Sequence, residues 1–203
     1  FNLVDDIQPM LDTVKQIAST EDEEWVPAWS AVADRYEREA EAAAARGDRA
    51  AARNAWLHAK TYLSIARFPA PYHSGSAICP AEMGPVKARA YERYLECFRN
   101  ATSFLERAPE LVRVQRDGKE AVGHLRIPQP ASATNKAPAV LVMCGADMYK
   151  EDREKYADGG MAEGMASLVV DAPGTGQTTF AHAPEAIVAW QAALDEMQRR
   201  PEI

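Results

Sequence analysis

Apolar residues follow two different rhythms along this chain, and the change falls near residue 110. Over 28–46 and 48–68 they recur at three- and four-residue spacing in stretches rich in Ala, Glu and Arg, as at Trp56, Tyr62, Leu63 and Ala66. That spacing predicts two amphipathic helices. Gly47 stops the first and Asp48 offers an N-cap to the second. The second ends at Phe68-Pro69-Ala70-Pro71, and 72–85, with Gly75, Pro80, Gly84 and Pro85, reads as a loop. A third helix is expected over 86–107, with Tyr91, Tyr94, Leu95, Phe98 and Phe104 on or near one face. Parts of 33–66 fall at positions suggestive of a tetratricopeptide unit. The period does not recur, so the region reads as one helical hairpin.

After Pro109 the rhythm becomes two. Residues 111–116 alternate, Asp117-Gly118 turns, and 120–127 alternates again, the pattern of an antiparallel hairpin. A polar, Pro-containing connection over 128–138 leads to two short apolar runs, 138–145 and 166–170, with a helical pattern over 149–161 between them. Short apolar runs bounded by turn residues read as buried strands of a parallel sheet, so this is a βαβ unit. A last helix is expected from 184 to about 200. The fold class is therefore α/β: a helical domain over 1–109, then over 110–203 an antiparallel hairpin followed by βαβα, the order in which an α/β-hydrolase sheet begins.

Composition narrows the function without naming it. Hydrophobic residues make up 47% of 203 positions, enough for a core, and no apolar run approaches the ~20 residues that span a bilayer. Residues 1–19 carry acids and no basic opening, so no signal peptide is expected there. The net charge is −7 and no basic cluster interleaves with aromatics, which argues against nucleic acid as a partner. Cys79, Cys97 and Cys144 are too few and too scattered for a disulfide framework or a zinc site. They are expected as buried thiols in a reducing, cytoplasmic compartment. No metal and no cofactor are expected.

Two loops carry candidate chemistry because ligands of open α/β sheets bind at the carboxyl ends of strands. The first is Cys144-Gly145-Ala146-Asp147-Met148-Tyr149. In an α/β-hydrolase one oxyanion-hole amide comes from this place, and small residues such as Gly145 and Ala146 suit a role played by backbone N–H groups. An ordinary strand-to-helix turn remains the alternative. The second is Asp171-Ala172-Pro173-Gly174-Thr175-Gly176-Gln177-Thr178. It fails the dinucleotide fingerprint at Thr179, and fails the phosphate loop at Gln177 and at Asp171. It reads as a tight turn on the rim of a cleft. Among the histidines, His58 and His124 fall within elements, while His182 follows the glycine turn. His73, with Tyr72, sits in the long loop of the helical region, where ligand contacts are often found. Asp171 and His182 suggest part of a triad, yet no G-x-S-x-G occurs in the chain.

The run over 138–177, with Cys144-Gly145-Ala146-Asp147, Lys150-Glu151 and Asp171-Ala172-Pro173-Gly174-Thr175-Gly176, resembles the α/β-hydrolases related to the fermentation-respiration switch protein. That group includes 2,6-dihydroxypseudooxynicotine hydrolase and the fungal polyketide-shortening hydrolases of pigment biosynthesis. Arg67-Phe68-Pro69 and Lys87-Ala88-Arg89-Ala90-Tyr91 fall where these proteins have a helical N-terminal domain. The resemblance implies a serine hydrolase with a helical cap, several members cleaving a carbon–carbon bond beside a ketone. Only the group's N-terminal half is matched, and its nucleophile, acid and histidine would lie later.

Two functions follow as expectations. In the first, the chain is the cap and first sheet half of a serine hydrolase acting on a ketone, ester or polyketide-type small molecule. Ala146 and Gly145 would form the oxyanion site, and Tyr72, His73, Asp147, Met148 and Tyr149 would bind substrate. Either a second polypeptide, from cleavage or a split gene, would carry the remaining core in an oligomer, or the chain would be a fragment of a longer one. In the alternative, it is a non-catalytic helical interaction module with a degenerate hydrolase half.

Overall fold

The computed structural model describes residues 7–68, 83–145, 147–181 and 185–203. The chain divides into two compact units, 1–108 and 109–203.

In the first unit, α1 (Gln8–Gln16) precedes α2 (Asp22–Ala45), α3 (Arg49–Arg67) and α4 (Pro85–Thr102). The α2–α3 seam is built on alanine: Ala33 and Ala40 on one helix, Ala52, Ala59 and Ala66 on the other, all without solvent exposure. Small side chains at seven-residue steps let the backbones approach closely. Aromatic rings then fill the space beside the seam, with Tyr62 stacked between Trp29 at 6.2 Å and Tyr36 at 5.6 Å. Asp48 caps α3 by accepting from the Ala51 N–H at 3.0 Å. Helix α2 begins earlier than the start at residue 28 expected from its apolar spacing. It contains Pro27 and opens with Asp22, Glu23 and Glu24, whose charges suit a helix N-terminus.

The second unit is a four-stranded sheet in the order β1-β2-β4-β3. It comprises β1 (Glu110–Arg116), β2 (Lys119–Arg126), β3 (Ala139–Met143) and β4 (Ala166–Val170). Asp117 and Gly118 both take positive φ, 53° and 75°, the twist that a two-residue hairpin requires. Strand β4 pairs antiparallel with β2 and parallel with β3. It is buried along its whole length, Ser167 included, as a largely apolar strand covered on both faces is. Helix α6 (Ala186–Arg199) covers one face, its Ala189, Ala192, Ala193 and Met197 packing with Val112, Val114, Leu125, Leu168 and Val170. On the other face Ala157 of α5 (Glu154–Ala162) packs with Val169, Val142 and Cys144. The helix after β3 starts at Glu154, later than its apolar pattern indicates, because Lys150–Asp152 form a 3-10 turn instead.

The two sheet edges differ. On β1, Glu110 pairs with Arg200 at 2.7 Å and Arg113 with Glu120 at 2.9 Å. The β3 edge is Ala-Val-Leu-Val-Met, half-buried and ending in Met143 at 52% exposure.

A Cβ at Gly123 of β2 would lie 2.8 Å from the Val169 carbonyl oxygen and from Val170 Cγ1, whereas one at Gly159 of α5 would meet open space. Gly123→Ala is therefore expected to destabilise the fold by roughly 1–3 kcal/mol or more. Gly159→Ala should stabilise it by about 0.5–1 kcal/mol. Opposite shifts in thermal midpoint check both.

Candidate functional site

The parallel pair β3–β4 brings two loops together at its carboxyl end. Their geometry is set by Asp171, the first residue after β4, which is only 3% exposed. Its Oδ1 accepts from the Lys150 backbone N–H at 2.9 Å. Its Oδ2 accepts from Lys150 Nζ at 2.9 Å and from the Gln177 N–H at 2.8 Å. All three partners donate, so Asp171 acts as a carboxylate. Lys150 Nζ also reaches Glu151 Oε1 at 2.8 Å, with both side chains buried.

These charges are taken out of water together. Burial works against the Lys150 ammonium, but Asp171 and Glu151 outweigh it and hold its pKa above the ordinary lysine value. Burial raises the Asp171 carboxyl above the usual aspartate range and Glu151 adds to it, while Lys150 and the Gln177 amide pull the other way. On β2, His124 lies 3.9 Å from Glu151 through Nε2. Burial, followed by the charge on Lys150, pushes it down to about 3, so it is a neutral imidazole. Burial likewise raises the Cys144 thiol, which leaves it without thiolate character at neutral pH.

The glycine turn closes around the same carboxylate. Gly176 has φ +56°, and a Cβ there would stand 2.2 Å from the Asp171 carboxyl. The far side of the turn is fastened to β2: the Thr179 N–H and Thr178 Oγ1 both donate to the Glu120 carbonyl, at 3.0 and 2.6 Å.

Of the residues singled out from sequence, Gly145 is half-buried, Asp147 exposed, Met148 half-buried and Tyr149 buried. Ala146, Tyr72, His73, His182 and Cys79 lie outside the described residues. Asp171 is committed to Lys150 and the glycine turn. Sequence reasoning passed over the Lys150–Glu151–Asp171–His124 group as a site. The one available signal was a Lys-Glu pair beside a strand end. Among the described residues, no group of three or more His, Cys, Asp or Glu side chains is placed to hold a metal. No described helix is long and apolar enough to cross a membrane. A cavity of about 220 Å³ opens at the opposite, amino end of β3, among Pro128, Pro130, Asn135 and Pro138.

Comparison with known proteins decides the family. A family model described as esterase FrsA-like matches residues 5–201. The chain belongs to this family. This FrsA-like chain is 29% identical over 177 residues to the α/β hydrolase xenA of Xenoacremonium sinensis, covering 85% of the chain and 38% of that protein. It is 26% identical over 192 residues to hydrolase pyiE of Pyricularia grisea, covering 92% and 42%. Among solved structures, 2,6-dihydroxy-pseudo-oxynicotine hydrolase superposes with a TM-score of 0.71 at 21% identity, over 98% of the chain and 52% of that structure. AbyA5 gives 0.68 at 19% identity, over 94% and 47%. These superpositions establish the fold, a helical region followed in the chain by the opening strands of an α/β-hydrolase sheet. The FrsA-like chain spans about two fifths of the curated relatives and half of the solved structures.

The buried histidine makes a pH prediction. The folded state keeps His124 neutral down to about 3, whereas an unfolded chain protonates it near 6.5. Below 6.5 the unfolded state binds more protons, so this contribution is complete above that pH and is lost as pH falls toward 3. The loss amounts to about 2 kcal/mol by pH 5. Between pH 7 and 5 the thermal midpoint of the wild type should fall further than that of His124→Gln, by about 4–8 °C. Equal falls would mean that His124 binds its proton in the fold as an ordinary histidine does.

Proposed function

We propose that the protein is a serine-type hydrolase of small-molecule ketone or ester substrates, in which this chain supplies the helical unit and the first half of the catalytic core. The reading is carried by a loop fixed at the carboxyl end of β3, in a sheet of hydrolase order, within a chain that belongs to an esterase family. Such a loop is where backbone amides face a developing oxyanion. In this reading the Ala146 amide, with Gly145, binds the oxyanion, and Tyr72, His73, Asp147, Met148 and Tyr149 shape substrate binding. A serine oxygen attacks the carbonyl carbon while a histidine takes its proton. The carbonyl electron pair moves onto oxygen and returns to expel the alkoxide or carbanion, which the histidine protonates, and water then frees the acyl group.

The nucleophile, acid and histidine come from further polypeptide that continues the sheet along β3. Two observations support this: the apolar character of that edge beside the charged β1 edge, and relatives more than twice the matched length. An open apolar edge is a template for association. The reading also places the protein in the cytoplasm, in keeping with the buried free thiols Cys97 and Cys144.

In the intact protein, a fluorophosphonate should label one serine and abolish hydrolysis of a p-nitrophenyl ester. Protein inert to both would instead favour a non-catalytic module. Ala146→Pro, which lacks the amide, should lose ~10²–10³ in kcat with the thermal midpoint kept. Unchanged turnover in a folded variant would remove Ala146 from the site. Expressed alone, residues 1–203 should self-associate; a soluble monomer with one cooperative melt would count against continuation at β3.

A further inference from the structure

The loop after β3 begins and ends on neighbouring atoms of one strand end. The Cys144 N–H donates to the Val170 carbonyl at 3.0 Å, and the Lys150 N–H donates to Asp171 Oδ1 at 2.9 Å. Cys144 and Lys150, on either side of the loop, are thus stapled to consecutive residues, Val170 and Asp171, of the chain leaving β4. The second staple is itself braced, since Lys150 Nζ and the Gln177 N–H bind the same carboxylate. The brace rests on a fixed base, because the Asp171 N–H donates to the Val122 carbonyl on β2 at 3.0 Å and the turn is bonded to Glu120.

We propose that Asp171 and Lys150 are positioning residues that set the loop after β3 against the glycine turn, and so tune turnover without touching substrate. The proposal rests on the hydrolase reading above. A bare requirement for stability does not explain the arrangement. Buried ion pairs are often no more stabilising than apolar packing of equal volume. Here the carboxylate is spent on two backbone amides from two different loops, which apolar residues would leave without an acceptor. Gly176 fits the same function, since any Cβ would collide with the Asp171 carboxyl and push the turn off its seat. A loop that presents amides to a transition state must hold them in place before the reaction, and ~1 Å of misplacement can cost ~10²-fold in rate.

The test uses the intact protein. Lys150→Met keeps the bulk and removes the charge; Asp171→Asn keeps one acceptor; Gly176→Ala pushes on the carboxylate from the turn. Active sites are counted by fluorophosphonate titration, so turnover is expressed per functional site. A positioning role predicts that kcat per titrated site falls roughly 10- to 100-fold with KM within about twofold. Affinity for a boronic acid that mimics the tetrahedral intermediate should fall by the same factor as kcat/KM. A purely structural role would lower the number of titratable sites and leave kcat per site at the wild-type value, and that result overturns the proposal. Hydrogen exchange on the wild type tests the staple without any variant. Peptides covering 145–152 and 172–178 should hold the Lys150 and Gln177 amide protons as long as β4 holds its own. Exchange at the pace of an exposed loop overturns the clamp, even if the variants fail to fold. Wild-type protein that fluorophosphonate does not label overturns the hydrolase reading and the catalytic half of this proposal, while the exchange measurement still decides the clamp.

Discussion

One buried carboxylate organises the sheet unit. Taking Asp171 and Lys150 out of water costs several kcal/mol per ion, a cost offset only when the geometry is good and the remaining oxygens are bonded. That demand propagates outward. The Lys150 backbone is drawn into a 3-10 turn, so the following helix starts late. The glycine turn must wrap the carboxyl closely enough that no side chain fits at 176. A second cation nearby would compete with Lys150, in keeping with the neutral state of His124 at the same spot. A set of polar residues that would weaken an ordinary core thus becomes a determinant of where two loops stand.

Much of the fold was legible in residue order because its signals are local. Asp117-Gly118 between alternating runs marks a hairpin, since few dipeptides tolerate two consecutive positive φ values. The short, largely apolar run of β4 marks a strand covered on both faces. The misjudged boundaries have local causes as well. Helix α2 starts ahead of residue 28 because the acidic residues 22–24 suit a further turn at its N-terminus. The charged group at the strand ends was not legible as a site. Lys150 and Asp171 lie 21 positions apart, and only the parallel crossover joins them. Lys and Glu beside a turn ordinarily belong to a solvated surface. The amide of Ala146 and the Tyr72–His73 pair, both prominent in the sequence, fall outside the described residues.

The helical unit solves a different problem. Its seam carries alanine, and Trp29, Tyr36 and Tyr62 stack beside it. Buried charge is handled by pairing here too, as in Lys87 with Asp22 at 2.8 Å. The sheet unit instead relies on aliphatic residues that alternate between α5 and α6.

The strand order has a consequence for how the protein is made. Strand β4 lies between β2 and β3, yet it leaves the ribosome last of the four. About forty residues separate the end of β2 from the start of β4. At roughly 5–20 residues per second, the inner edge of β2 therefore waits about 2–8 s for its partner. Once β3 is complete at Met143, for about the last twenty residues of that interval, an apolar strand of the same length as the missing one is present. Nascent chains must pass this interval with the central place in the sheet vacant, which makes it the moment when a chaperone or a slow stretch of translation would have most effect on yield.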